Sequence, residues 1–220
     1  MKTINIVGQI IDADILQLDL CEKYIIDLAP LHGLTNIEYL ALEENQITDL
    51  TPLKSLTHLK TLYLYHNQIA NIIPIQELTG LKVLSFWDNR VSDLTPLSKL
   101  KNITNLGLGK NNITDLTSMR TLVSLIEVDL EHNNINNVTP LQSLISLRKL
   151  YLSDNQIKDI SPLTTLINLT ELGLYKNQIT DVTPLYLLIN LTKLELSGNP
   201  LTIKQIDELQ RSLPKCEIIF

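Results

Sequence analysis

Residues 37–58 have the sequence IEYLALEENQITDLTPLKSLTH, and residues 59–80 continue the same pattern as LKTLYLYHNQIANIIPIQELTG. In both segments, alternating leucines precede an asparagine and a second apolar group follows it. The asparagines recur every 22 residues, at Asn45, Asn67, Asn89, Asn111, Asn133, Asn155, Asn177 and Asn199. An internal repeat of this length predicts a solenoid, in which each unit stacks on its neighbours along one axis.

The pattern L-x-L-x-x-N-x-I predicts one short strand in each unit. Leu40 and Leu42 are separated by Ala41, so the leucines point into the stack while Ala41 points outward. Strands of successive units then form a parallel sheet. We expect each repeated asparagine to turn inward and pair with backbone groups of neighbouring turns, which would otherwise cost about 1–3 kcal/mol each.

A second element follows the strand on the opposite, convex side. Most units contain Thr-Pro or Ser-Pro there, as at Thr51-Pro52. A hydroxyl side chain at the N-cap, followed by proline at the first helical position, predicts a single 3₁₀-like turn. Ile73-Pro74 lacks the hydroxyl and Ser118-Met119 replaces Pro-Leu, so we expect these two turns to be looser than the others.

The two ends of the stack need covers, because stacked repeats expose an apolar cross-section. At the C-terminus, Thr202 and Gln205 form a capping-box pattern. It predicts a helix that ends at Pro214 and carries four apolar residues on one face: Ile203, Ile206, Leu209 and Leu213. We divide the chain into a short N-terminal cap at 1–14, about nine repeats at 15–200, and a C-terminal cap at 201–220, formed by the helix and a final strand.

The repeat over residues 15–200 resembles the leucine-rich-repeat family. Its tail, ITDLTPLKSL at 47–56 and ITDVTPLYLL at 179–188, resembles the 22-residue repeats of bacterial internalins. The resemblance implies an α/β solenoid: a right-handed superhelix with a parallel concave β-sheet, 3₁₀ turns on the convex side and a C-terminal capping helix. It also implies a bacterial surface or host-interaction role. Residues 1–14 are too short for the helical cap domain that internalins place before their repeats.

The composition restricts the class of molecule that the chain can bind. The chain has 24 acidic and 18 basic residues, a formal charge of −6, and it lacks a basic stretch that could neutralise phosphates, which argues against nucleic acid. No sequence run reaches the roughly 18 apolar residues that cross a bilayer. We expect a protein partner, no membrane insertion and a monomer when alone. The location is cytoplasmic if Met1 is the native start, and the bacterial cell surface or secreted if an export signal was removed.

Catalytic chemistry is not predicted. His132, Ser153 and Asp154 lie on adjacent units, but the sequence offers no buried acid, strained serine elbow or oxyanion donors. Cys21 and Cys216 are about nine units apart, roughly 40 Å, which is too far for a disulfide or a shared metal. We therefore expect no catalytic residues, no metal and no cofactor.

The outward strand positions form three columns along the sheet. They contain the single tryptophan and five of the seven tyrosines: Tyr39, Tyr63, Tyr65, Trp87, Tyr151 and Tyr175. Strand propensity would favour valine and isoleucine equally, yet Val83 is the only such residue in these columns. Grouped aromatic residues favour a binding surface, with Tyr151 and Tyr175 as a second contact region.

Two glycines adjoin the tryptophan in these columns. Gly107 and Gly109 lie on the strand next to Trp87 and predict a shallow trough floored by backbone. We expect a partner lysine or arginine to bridge it, stacking on Trp87 and pairing with Glu131. Farther along, alternating charges predict a stabilising ladder of cross-strand pairs: Glu127, Lys149, Glu171 and Lys193.

Two other functions stay open. The 22-residue unit is also similar to that of the leucine-rich regulatory subunit of protein phosphatase 1, which implies an intracellular regulatory scaffold, although the T-P-L segment fits the internalins better. Alternatively, the chain is the targeting arm of a larger enzyme. Only the site can separate such functions, since one fold hosts many of them.

Overall fold

The computed structural model describes residues 3–6 and 8–220. Two strands form an antiparallel hairpin and ten others form one parallel sheet, in chain order from β3 to β12. The strands are β1 (Thr3–Ile6), β2 (Gln9–Asp12), β3 (Gln17–Asp19), β4 (Tyr39–Ala41), β5 (Thr61–Tyr63), β6 (Val83–Ser85), β7 (Asn105–Gly107), β8 (Glu127–Asp129), β9 (Lys149–Tyr151), β10 (Glu171–Gly173), β11 (Lys193–Glu195) and β12 (Glu217–Ile219).

The sheet has the register that the 22-residue repeat predicts. Leu40 of β4 pairs with Leu62 of β5, and Leu62 pairs with Leu84 of β6. All three leucines are fully buried, whereas the residues on either side of Leu62 are partly exposed. The core is therefore one continuous stack of aliphatic side chains, and the concave sheet face carries the intervening residues. The predicted leucine-rich solenoid is confirmed.

The asparagine ladder satisfies the backbone where each strand ends. The Asn45 side-chain oxygen accepts hydrogen bonds from the N–H groups of Lys23 and Ile25, at 3.1 and 2.9 Å. Its amide nitrogen donates to the carbonyls of Leu20 and Leu42, at 2.9 and 3.0 Å. Each asparagine thus joins its own turn to the preceding one, as predicted, and removes the cost of burying unpaired peptide groups.

Each repeat before the last also contains a five-residue 3₁₀ turn on the convex side. The turns are Ala29–Gly33, Thr51–Ser55, Ile73–Glu77, Thr95–Lys99, Thr117–Thr121, Thr139–Ser143, Ser161–Thr165 and Thr183–Leu187. The predicted turns are confirmed, but the predicted capping residue is wrong. Thr51 is the first residue of its turn, and its N–H and hydroxyl both donate to Asp49 Oδ1, at 2.8 and 2.6 Å. The N-cap residue, Leu50, makes no side-chain hydrogen bond, and the Asp49 carboxylate accepts from the first N–H of the turn instead.

The same hydrogen bond from the first N–H of the turn is present in the two turns with atypical sequences. The N–H of Ile73 donates to Asn71 Oδ1 at 3.0 Å, and that of Thr117 donates to Asp115 Oδ1 at 2.8 Å. Both turns have the same length as the others. Neither turn changes length, because its first N–H is satisfied without the hydroxyl or the proline. The Ile73 turn is slightly looser, since the hydrogen bond from the Ile75 N–H to the Ile72 carbonyl is 3.2 Å, longer than its equivalents.

The C-terminal end is covered by helix α1 (Ile203–Ser212) and by β12, which pairs with β11. The predicted capping box is present: the N–H of Thr202 donates to Gln205 Oε1 at 2.9 Å, and the N–H of Gln205 donates to Thr202 Oγ1 at 3.3 Å. Leu209 is fully buried, but Ile203 is 73% exposed. At about 100° per residue, Ile203 falls at the edge of the apolar stripe, so its predicted place on the core-facing side is wrong.

At the other end, the β1–β2 hairpin packs against the first 3₁₀ turn. A Cβ placed on Gly33 would lie 2.8 Å from Ile4 Cδ1, so glycine permits this close approach. Ile6 and Ile11 join the core. Residues 1, 2 and 7 of the expected cap lie outside the described residues. The division at 14 and 200 stays a proposal.

Candidate binding face

The three predicted columns extend along the concave face in register. Tyr63 pairs with Ala41 on one side and Ser85 on the other. The register continues past the strand ends, because the N–H of His66 donates to the carbonyl of Trp87 at 2.9 Å. The predicted aromatic residues therefore share one surface, and the side chains of all six are partly exposed.

The N-terminal half of this face holds an aromatic patch, consisting of Tyr39, Tyr63, Tyr65, His66 and Trp87. Tyr39 and Tyr63 contact edge to face, with ring centroids 5.9 Å apart. His66 lies between Tyr65 and Trp87, at 5.4 and 5.1 Å from their rings. The four predicted aromatic residues thus share one face but form two contacting groups: Tyr39 with Tyr63, and Tyr65 with Trp87 through the imidazole of His66.

Sequence reasoning missed His66 because it lies just after the outward columns. Its φ of 53° is in the left-handed region, and the corresponding residue of most other repeats shares that conformation: Glu22, Glu44, Asp88, Lys110, His132, Asp154 and Lys176. A signal was present, since Gly198 occupies the same position in the last repeat. Glycine there indicates a backbone with positive φ.

These left-handed residues form a charged rim beside the aromatic residues. Asp88 Oδ2 lies 2.6 Å from Lys110 Nζ and 2.7 Å from His66 Nδ1. Lys110 Nζ also lies 5.3 Å from the centre of the Trp87 ring. Asp88 has a lowered pKa: burial opposes the shift, but the hydrogen bonds from Lys110 and His66 outweigh it.

The predicted trough is filled at Gly109. A Cβ placed there would lie 2.5 Å from Trp87 Cδ1 and Nε1, so the indole lies directly over the glycine backbone. The trough is therefore closed at Gly109, and the expected bridge from Trp87 to Glu131 stays a prediction. The indole covers the trough, and the cation near its ring is the chain's own Lys110.

The other glycine borders an open cavity. A volume of 260 Å³, the Gly107 cavity, is lined by Tyr63, Ser85, Asn105, Gly107, Glu127 and Asp129, among others. A Cβ at Gly107 would lie 2.8 Å from Ser85 Oγ and would intrude on this space. The depression lies between β5 and β8, at the Gly107 part of the predicted trough.

The Gly107 cavity is acidic. Burial raises the pKa of the Asp129 carboxyl to about 6, and the charges of Glu131 and Glu127 add to the rise, while the Glu131 N–H donates to it at 3.0 Å and lowers it. Glu127 accepts a hydrogen bond from Asn105 Nδ2 at 3.3 Å. In residues 3–6 and 8–220, no lysine or arginine forms a salt bridge with Glu127, Asp129 or Glu131.

The C-terminal half differs. Tyr151 donates its hydroxyl hydrogen to Glu171 Oε2 at 2.7 Å, and Lys149 Nζ lies 3.2 Å from Glu171 Oε1. The depression beside them measures only 30 Å³. Of the predicted charge ladder, Lys149–Glu171 is the step that forms a salt bridge within the described residues, although all four residues are in register. Tyr175 has Lys176 Nζ 5.0 Å from its ring centre.

The histidine, serine and aspartate considered for catalysis do not form a relay. His132 Nδ1 lies 2.7 Å from Asp154 Oδ2, but Asp154 is not the buried acid that a relay requires. Both side chains are about half exposed. Ser153 Oγ is buried and has no hydrogen-bond partner among the described residues. His132 is thus not placed to accept the serine proton.

Two further kinds of site, a metal centre and a membrane-spanning helix, are absent from the described part of the chain. Three or more histidine, cysteine or acidic side chains do not meet there in a way that could hold a metal ion. Helices long and apolar enough to cross a membrane are also absent from that part.

Family models match most of the repeats. A model described as "Leucine Rich repeats (2 copies)" matches residues 35–80, 57–99, 79–121 and 123–165. A second, "Leucine Rich Repeat", matches residues 190–212. The chain belongs to the leucine-rich-repeat family. No curated protein matches it.

Solved structures place the repeats among internalin-like ones. An internalin of Listeria monocytogenes, InlF, is 33% identical with a TM-score of 0.87; the match covers 92% of this chain and 60% of that chain. Internalin C2 of the same species is 28% identical with a TM-score of 0.72, covering 97% and 85%. A leucine-rich-repeat protein of Leptospira interrogans is 29% identical with a TM-score of 0.74, covering 92% and 60%. The chain thus spans three fifths of InlF, and its predicted resemblance to internalins is confirmed.

Proposed function

We propose that this chain is a non-catalytic recognition module that binds a protein partner on its concave face. One observation carries the proposal: the aromatic patch groups three tyrosines and the only tryptophan on an unpartnered sheet face. Partly exposed aromatic side chains supply large contact areas at a small cost in conformational entropy, which is why they dominate binding hot spots.

The rigid scaffold under the patch supports the same proposal. The strands are fixed by their ladder hydrogen bonds, and each repeated asparagine joins adjacent turns. A face held in this way loses little backbone freedom on binding, so more of its contact energy contributes to affinity. The likeness to bacterial internalins agrees with such a module; a surface or host-interaction role stays a prediction.

The test compares two tyrosines that differ in location. Tyr65 belongs to the aromatic patch, whereas Tyr24 is 81% exposed in an irregular segment outside the concave columns. Proteins captured by the immobilised wild-type chain are identified, and their affinity is measured for Tyr65→Ala and Tyr24→Ala. We expect Tyr65→Ala to weaken binding by about 2 kcal/mol, roughly 30-fold, and Tyr24→Ala to leave it unchanged. Equal losses, or a partner retained by Tyr65→Ala, would contradict the proposal.

A further inference from the structure

We propose that the Gly107 cavity accepts one arginine side chain of the partner, with Glu127 and Asp129 as its carboxylates and Tyr63 as its aromatic wall. This inference rests on the proposed function of the concave face and names the chemistry that the partner presents there. It moves the expected cation site from the covered trough at Gly109 to the open one beside it.

The first argument is space. At about 30 Å³ per water molecule, 260 Å³ holds roughly eight waters, which is enough for a guanidinium group and part of its stem. The space exists because Gly107 has no side chain and Ser85 has a short one. The leucine side chains of β6 and β7 point into the core below. The floor of the cavity is therefore the backbone of these two paired strands.

The second argument is charge. Lys149 is in register with Glu127 on one side and Glu171 on the other, yet its ammonium group pairs with Glu171. Glu127 is left with a long hydrogen bond from the neutral Asn105, and Asp129 with one from a backbone N–H. A half-buried pair of carboxylates without a cationic partner is complementary to a cation from outside.

The third argument selects arginine over lysine. Glu127 and Asp129 are two residues apart on β8, so their carboxylates approach the cavity from one strand face. Five N–H donors in a planar fork can reach both carboxylates, while a lysine ammonium acts as a point charge. The ring of Tyr63 forms part of the cavity wall, and a guanidinium group stacks on an aromatic face.

The experiment needs no knowledge of the partner. Blocked arginine, N-acetyl-arginine methylamide, is titrated into the isotope-labelled chain while the amide NMR signals are followed. Blocked citrulline, its neutral isostere, and blocked lysine serve as comparison ligands. We expect saturable shifts centred on the amides of Gly107 and Asp129 with arginine, and at least tenfold weaker binding of the other two. Shifts that are absent, are equal for citrulline or lysine, or centre elsewhere would overturn the proposal.

Variants provide a matched control. Asp129→Asn and Glu127→Gln each remove one charge with little change of shape, and both should weaken arginine binding at least fivefold. Glu195→Gln removes a carboxylate from β11, two strands away from Lys149, and should leave binding unchanged. The amide spectrum itself reports whether each variant is folded. Retained binding in both cavity variants would overturn the proposal.

The outcome is separable from that of the proposed function. Arginine binding in the absence of any effect of Tyr65→Ala on partner capture would leave the cavity proposal standing and remove the aromatic patch from the partner interface. Capture that depends on Tyr65, without arginine binding, would support the concave face and exclude the Gly107 cavity as its arginine site.

Discussion

The two halves of the concave face are built from the same rung geometry but differ in how they meet their charges. On the N-terminal side of Lys149, Glu127 and Asp129 border an open cavity and find no cation within the described residues. In the C-terminal half, Glu171 pairs with Lys149 and accepts the Tyr151 hydroxyl over a depression of 30 Å³. Lys149 is in register with both Glu127 and Glu171, but its ammonium group pairs with Glu171. The carboxylate of Glu171 is therefore neutralised, and that of Glu127 is not.

Partner affinity should show the largest difference between the halves. Trp87→Ala removes the residue that covers Gly109 and should weaken partner binding by about 2 kcal/mol or more. Tyr151→Ala should cost less than about 1 kcal/mol, since its hydroxyl is already engaged by Glu171. Isothermal calorimetry with the captured partner measures both. A larger loss for Tyr151→Ala would move the main contact to the C-terminal half.

Gly109 and Gly173 should differ in how well they tolerate substitution by alanine. Gly109→Ala places a Cβ 2.5 Å from the Trp87 indole, whereas Gly173→Ala meets Ser153 Oγ at 3.1 Å. We expect Gly109→Ala to lower the free energy of unfolding by about 1–2 kcal/mol and Gly173→Ala to be nearly neutral. Urea unfolding measures the difference.

The single tryptophan gives this comparison a second measurement. If Gly109→Ala displaces the indole into solvent, the fluorescence of Trp87 shifts to longer wavelength, and Gly173→Ala leaves it in place. An unshifted spectrum together with unchanged stability would show that the indole does not depend on the glycine beneath it.

The pH dependence of stability should reveal the unsatisfied carboxylate. The raised pKa of Asp129, about 6 against 3.8, means that the folded chain holds a proton that the unfolded chain has lost between those values. Ionising the buried Asp129 carboxyl beside Glu131 and Glu127 therefore lowers stability as pH rises from about 4 to about 6, and the charge of His132 offsets only part of this loss. Asp129→Asn should raise the free energy of unfolding at pH 7 by about 1 kcal/mol, reduced by partial solvent exposure, and should have no such effect below about pH 4. A variant less stable than wild type at pH 7 would contradict this.

Substitution of Glu171 should have the smallest effect on the free energy of unfolding, and its sign should be opposite to that of Asp129→Asn. The hydrogen bond from Tyr151 and the charge of Lys149 lower the pKa of the Glu171 carboxyl. Its contribution is present above the ordinary pKa and is lost as pH falls through the lowered value. Glu171→Gln should therefore reduce stability at pH 7 by a few tenths of a kcal/mol, as is usual for exposed pairs. The same unfolding titration measures it, and a gain in stability would remove the contrast between the halves.

The fold was predictable because every apolar slot recurs in phase. One inward-pointing leucine sets which residues of its strand face the core, and a step of 22 residues sets the same for every other strand. The register of Leu40, Leu62 and Leu84 therefore follows from the repeat length alone. The inward turn of Asn45 was predictable for a similar reason: an amide is both donor and acceptor, and the buried turn needs both.

The details of the candidate site were less predictable because they depend on choices between neighbours. The pairing of Lys149 with Glu171 is decided by Tyr151, which holds that carboxylate in place. The position of the Trp87 indole over Gly109 depends on a rotamer, which spacing does not specify. His66 and Lys110 reach the face through a left-handed backbone, and alternation along a strand does not foresee that conformation.

The asparagine ladder has a consequence for how such a surface evolves. Because each amide binds only its own turn and the preceding one, one whole unit can be inserted or deleted without re-forming contacts elsewhere. Such an event would shift the aromatic patch relative to Tyr151 and Tyr175 by one strand spacing, about 4.8 Å. Duplication or loss of a repeat would therefore change the distance between the two contact regions only in whole steps of one strand spacing.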